Sequence, residues 1–125
     1  MFLNLETDYA IRIVQCLAAT SNKIDAKTIA AQTGVTPRFT LKILHGLVSA
    51  GIVKSYKGAN GGYTLAKKAN EITLLDVVEQ VNGSLNISSC QSESGCTHPN
   101  GICCFRSVFD DVSGYMRDRF SKVTF

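Results

Sequence analysis

Apolar residues recur every three to four positions in five stretches of the chain, each bracketed by residues that start or stop helices. In LNLETDYAIRIVQCLAAT, Ala10, Ile13, Val14 and Leu17 share one face, which predicts an amphipathic helix from about Thr7 to Thr20. Cys16 reads as a small hydrophobe inside it, and Asp8 stands in the first turn, where the helix dipole favours an anion. DAKTIAAQTG predicts a shorter helix with Asp25 as N-cap, Ile29 and Ala30 facing inward, and Gly34 as the stop. TPRFTLKILHGLVSAG opens with Thr36 as N-cap and Pro37 at the first helical position. Its buried stripe is Ile43, Leu44, Leu47 and Val48, and Gly51 ends it. Thr73, with Asp76 three residues on as a variant capping box, starts a fourth helix with Leu74, Val77, Val78 and Val81 on its apolar side and Gly83 at its close. The fifth runs from about Cys104 to Lys122 and repeats Phe105, Val108, Phe109, Val112, Tyr115, Met116 and Phe120.

The period drops to two once. Ile52 to Tyr56 alternates, KGANGG makes a glycine-rich tip, and Tyr63-Thr64-Leu65 returns, which predicts a two-stranded hairpin. Two helices joined at Gly34-Val35 and followed by a hairpin read as a winged helix-turn-helix. The expected fold is mainly α with a small β-wing and a long C-terminal dimerisation helix. It divides into residues 1–83 for DNA binding, 84–104 as a cysteine-rich loop, and 105–125 as the dimerisation helix and tail. The last apolar stripe is too wide for one small core to cover, so it predicts packing against a second subunit. Two-fold symmetry also suits a protein that reads a pseudo-palindromic operator.

Charge sharpens this division. Residues 1–70 hold nine Lys/Arg against three Asp/Glu, a balance of +6, whereas 71–125 hold four against seven, a balance of −3. A basic front and an acidic back suit double-stranded DNA on one side and regulation on the other. On the third helix, Arg38, Lys42 and His45 face outward. Thr36, Arg38 and Lys42 are the candidate DNA contacts there, Arg38 for a guanine edge or phosphate and Lys42 for phosphate. Leu41 and Phe39 interrupt the polar face; a thymine methyl would explain Leu41, and so would a partly buried position. Lys57 and Asn60 occupy the hairpin tip, where a cation can approach phosphates or the minor groove. At 125 residues the chain is one domain by length, and no apolar run approaches the ~18 residues of a membrane span. Together with the lack of a signal peptide, this predicts a soluble cytoplasmic protein whose thiols stay reduced. It has no nucleophile-base pair, phosphate loop or paired carboxylates to suggest an enzyme; Asp110-Asp111 read as decoration on the last helix's solvent face.

Four of the five cysteines, Cys90, Cys96, Cys103 and Cys104, fall in SSCQSESGCTHPNGICCF, among turn-forming residues with no apolar period. A loop that cannot order itself by burial needs something bound to its thiols, and thiolates select soft metals. Zinc would use Cys90, Cys96 and Cys103 with His98 or Cys104, but zinc knuckles are usually paired Cys-x-x-Cys. The wider gaps here suit a larger iron-sulfur core. Unmetallated reactive thiols remain a third reading, and a disulfide framework ranks last because the cysteine count is odd.

These landmarks resemble, over essentially the whole chain, the winged-helix iron-sulfur-cluster regulators that include IscR, NsrR and RirA. They are Leu3 and Thr7-Asp8-Tyr9-Ala10-Ile11-Arg12, then Thr36 to Leu47, Lys57-Gly58-Ala59-Asn60-Gly61-Gly62-Tyr63, Ile72-Thr73 with Asp76-Val77-Val78, and the cysteine loop. The resemblance implies a two-iron or four-iron cluster held by Cys90, Cys96 and Cys103, with Cys104 as an extra or alternative third thiolate. It departs from the IscR-like pattern at Arg106, where a histidine ligand is expected and a guanidinium cannot serve. In the NsrR-like branch, which the chain resembles more closely, an acidic residue of the partner subunit's first helix is the fourth ligand, and Asp8 stands at that place. The same resemblance implies a homodimeric transcription factor, usually a repressor, that senses nitric oxide, oxidants or iron-sulfur status. A structural zinc or a metal-free thiol switch is the alternative.

Overall fold

A computed structural model describes residues 3–88, Gln91, Pro99 and 105–125. The helices are α1 (Leu5–Ala18), α2 (Ala26–Thr33), α3 (Pro37–Ser49), α4 (Leu74–Asn82) and α5 (Arg106–Ser121), with a 3-10 turn at Ala69–Glu71. Between α3 and α4 lie the strands β1 (Val53–Tyr56) and β2 (Gly62–Leu65), antiparallel with Val53 opposite Leu65 and Tyr56 opposite Gly62. The architecture is the winged helix-turn-helix expected from the patterning.

Local rules account for most element starts. Asp25 accepts from the Thr28 backbone N–H at 2.8 Å, Thr36 does the same for Phe39 at 3.4 Å, and Thr73 and Asp76 form a reciprocal capping box. α2 stops at Gly34, whose φ is 72°. The first helix begins two residues before the position that periodicity predicts. Asn4, rather than a residue nearer Thr7, is its N-cap, and Asn4 Oδ1 accepts from both the backbone and the hydroxyl of Thr7 at 2.8 Å. That bond lets the polar Thr7 be fully buried inside the helix.

α1 runs through the middle of the molecule and packs on α2, α3, α4 and β2. Ala10, Ile13, Val14 and Leu17 from it meet Ile29, Ile43, Leu44, Leu47, Ile52, Val53, Ile72 and Val77 in one core. The chain's end is sewn back onto this body. The Leu74 N–H donates to the Val123 carbonyl at 2.8 Å, Thr124 bridges to Thr73, and the Phe125 N–H donates to the Ala69 and Ile72 carbonyls. Phe125 itself leans on the core. Midway along its length α5 is held through Ser113, its one buried residue among those described. α5 otherwise leaves an apolar face uncovered: Phe105 is 62% exposed, Val108 52%, Val112 43% and Tyr115 71%.

Candidate nucleic-acid interface and sensor region

α3 turns its apolar stripe into the core, which leaves Arg38, Phe39, Leu41, Lys42 and His45 at the surface. Arg38, Phe39 and Lys42 line a cleft of about 440 Å³. Arg38 makes no ion pair among the described residues. Lys42 is engaged: its Nζ lies 2.5 Å from Glu6 Oε1, across from the first turn of α1. Phe39 meets the Tyr9 ring edge-on, with centroids 6.0 Å apart. Leu41 is 52% exposed, so the partly buried alternative for its presence on this face does not hold. Thr36 combines an exposed position with the cap of α3. One polar side chain of α3 faces the other way: Thr40 is fully buried, and its hydroxyl has no hydrogen-bond partner among the described residues.

The wing closes tightly. A methyl group on Gly61 would fall 2.4 Å from the Tyr56 carbonyl oxygen, so only glycine fits there, and Lys57 and Asn60 stand exposed at the tip. The turn between α1 and α2 lies along the other edge of β2. Ile24 exchanges two backbone hydrogen bonds with Tyr63, at 2.8 and 3.2 Å, and a Cβ at Gly62 would fall 2.9 Å from the Ile24 carbonyl oxygen. This approach brings Lys23, 4.7 Å from the Tyr56 ring centroid, beside Lys54, which is 5.3 Å from it. Sequence reasoning missed the placement of Lys23 over Tyr56, because nothing local signals a bridge between residues 24 and 63.

Cys90, Cys96, Cys103 and Cys104, with His98, lie outside the described residues. What surrounds them is visible. Gln91, next to Cys90, is a node: its Oε1 accepts from the Ile87 and Ser88 N–H groups and the Ser113 hydroxyl at 3.1–3.2 Å. Its Nε2 donates to Asp110 Oδ1 at 2.8 Å. Asp110 is therefore an anchor between loop and α5 as well as a surface charge, a role its sequence context does not disclose. Nearby, Arg117 donates to Asn86 Oδ1 at 2.6 Å and lies 3.8 Å from Glu79. Asp8 is exposed in the first turn of α1 and pairs with Arg12 at 2.9 Å, one turn on. Cys16 is half-buried, donates to Gln32 Oε1 at 3.2 Å, and has its thiol pKa pushed up by burial. It has the environment of an inert thiol. Among the described residues no group of His, Cys, Asp and Glu could by itself hold a metal.

A capped reader helix with an exposed cationic flank, followed by a glycine-closed wing, defines a winged helix-turn-helix protein of the DNA-binding kind. The chain belongs to the Rrf2 family, described as an iron-dependent transcriptional regulator, whose family model matches residues 3–125. The family is one of regulators and not of enzymes. The chain is 40% identical over 91 residues to the protein aau3 of Rhizobium meliloti, a match covering 72% of this chain and 59% of that relative. It is 29% identical over 121 residues to the HTH-type transcriptional regulator NsrR of Halalkalibacterium halodurans, covering 94% of this chain and 83% of that one. In fold it matches CymR, the global cysteine regulator of B. subtilis, with a TM-score of 0.80 at 21% identity over 99% of this chain and 92% of that one. No helix among the described residues is long and apolar enough to cross a membrane.

Proposed function

We propose that the protein is a homodimeric repressor whose hold on a pseudo-palindromic duplex depends on an iron-sulfur cluster. In this reading residues 1–83 bind DNA, 84–104 hold the cluster and 105–125 pair the subunits. The observation that carries it is the combination of four thiols between Cys90 and Cys104 with a neighbouring helix whose apolar face is open to a second copy. The donor set fits the group. Cys90, Cys96 and Cys103 would hold it, with Cys104 as the alternative third thiolate. Asp8 of the partner subunit would be the fourth ligand, since in this chain Asp8 is exposed and, among the described residues, pairs only with Arg12 on its own helix. When bound, the cluster supplies iron that nitric oxide, oxygen or a small thiol can reach.

The chain's own residues explain how ligation would be felt by DNA. Asp8 shares the first turns of α1 with Glu6 and Tyr9, and these two touch Lys42 and Phe39 on the reader. A ligand bond at Asp8 would therefore pull on the helix that braces α3. On the other side, Gln91 fastens the residue after Cys90 to Asp110 and Ser113 of α5. Loop, dimer helix and reader form one mechanical chain, and two readers held about 34 Å apart would enter successive major grooves. Arg38 and Lys42, with Lys57 and Asn60 on the wing, make the polar contacts, and Thr36, Phe39 and Leu41 complete the surface.

Protein purified without oxygen should be brown, with iron and sulfide in stoichiometric amounts. Operator affinity should differ between loaded and cluster-free forms by about 5–150-fold, the usual range of such coupling. Colourless protein with one zinc per chain would overturn the cluster in favour of a structural staple. Equal affinity of the two forms would overturn the switch.

A further inference from the structure

Tyr56 closes β1 at the root of the wing, with two ammonium groups within 5.3 Å of its ring centroid and its own ring partly exposed. Residues two apart on a strand face the same way, so Lys54 and Tyr56 share the outer face of β1. Lys23 reaches that ring from a different element, held there by the Ile24–Tyr63 bridge and by the missing side chain of Gly62. Neither lysine has a carboxylate within ion-pair distance among the described residues. The nearest acid in sequence to Lys23 is Asp25, and it is committed to capping α2. Two like charges gathered on one ring repel each other, and the ring offsets only part of that repulsion. The arrangement is unfavourable alone and favourable once a polyanion lies across it. Lys57 follows Tyr56 directly at the wing tip, so the cationic surface is continuous with the interface proposed above.

We propose that Lys23, Lys54 and Tyr56 form a second phosphate-binding shoulder for double-stranded DNA, which grips the backbone beside the wing without reading sequence. Each ammonium neutralises one phosphate, and Tyr56 keeps both pointed outward by stacking beneath them. The turn between α1 and α2 thereby becomes part of the interface, although it belongs neither to the reader helix nor to the hairpin. The inference rests on the DNA-binding reading.

The probe is a fluorescein-labelled duplex of about 30 bp and random sequence, titrated by anisotropy with the full chain over a series of potassium chloride concentrations. Because each phosphate contact contributes about 0.9 to the slope of log affinity against log salt, the Lys23→Gln/Lys54→Gln double variant should flatten that slope by about 1.8 for each bound subunit, about 3.6 for the proposed dimer. At ~0.1 M salt its affinity should fall roughly five- to tenfold per lysine. Lys122→Gln, which removes a lysine paired with Asp118 on α5, should leave the slope unchanged. Gly62→Ala should mimic part of the double variant by pushing the Lys23 segment away, and circular dichroism checks that each variant is folded. A folded double variant with the wild-type slope overturns the shoulder while leaving the DNA-binding reading intact. Wild-type protein that fails to bind the duplex even at ~20 mM salt overturns both.

Discussion

α3 and α5 carry apolar stripes of similar length, yet one is finished inside the chain and the other is not. On α3, Leu44 and Leu47 are fully buried against α1, and the helix begins on a side-chain cap. On α5 Phe105, Val108, Val112 and Tyr115 lie open, and the helix begins on Phe105 with no side-chain cap among the described residues. The same contrast separates the whole winged part from α5, since α1, α2, α3 and α4 start on Asn4, Asp25, Thr36 and Thr73, each accepting a backbone hydrogen bond. Helices that bind DNA must keep a fixed shape whatever the signal. In the proposed dimer α5 would take its cover from the second copy, and that cover could be withdrawn.

The comparison breaks most easily at its largest energy. Leu44→Ala should lower the unfolding free energy by about 3 kcal/mol, as core truncations do, whereas Val112→Ala on dilute protein should stay within about 0.5 kcal/mol. Urea midpoints at low protein concentration measure both. Similar losses at the two sites would mean that α5 is as much a part of the monomer's core as α3.

A charge on the open stripe sharpens the same point. Val108→Asp with Val112→Asp places two carboxylates where the proposed dimer has its apolar contact, and should weaken association by about 2–3 kcal/mol, roughly a hundredfold. Sedimentation equilibrium reads this, with helical content expected to stay near that of the wild type. A double variant that remains dimeric would move the subunit contact off this face.

The contrast also explains what the sequence discloses. Caps and stripes are local, their partners being three or four residues away, so Asp25, Thr36 and Thr73 announce their helices and Ile43, Leu44 and Leu47 announce their buried side. The start of α1 was harder to read because its first turn precedes the apolar period, and Thr7 there is a buried polar residue satisfied by Asn4. Contacts between distant residues leave no period to follow. Lys42 reads as a free cation until Glu6, thirty-six positions away, is found beside it, and Asp110 reads as a solvent charge until Gln91 reaches it. The DNA-facing candidates on α3 were legible because burial of one side fixes the other. The cysteine positions were legible only as chemistry, since thiol spacing narrows what could be bound and says nothing of how the loop is shaped.

The smallest effect tests the caps themselves. Hydrogen bonds from the Thr28 side chain and backbone hold the Asp25 carboxyl below its ordinary pKa, with Lys27 adding a smaller electrostatic contribution. Its folded pKa is thus depressed, so the stabilisation is fully present above the unfolded aspartate pKa of about 3.9 and disappears as pH falls through the folded value. Asp25→Asn keeps an oxygen that can cap α2 but has no proton to gain. The wild type should therefore be the more stable at neutral pH, and the gap between the two urea midpoints should close as pH falls below about 4. The other carboxylates titrate in both proteins and cancel from the difference. A gap that stays constant down to pH ~2.5 would mean that the start of α2 is set by packing of Ile29 and Ala30 against α1 and not by its cap. The winged part would then owe its independence from α5 to its core alone.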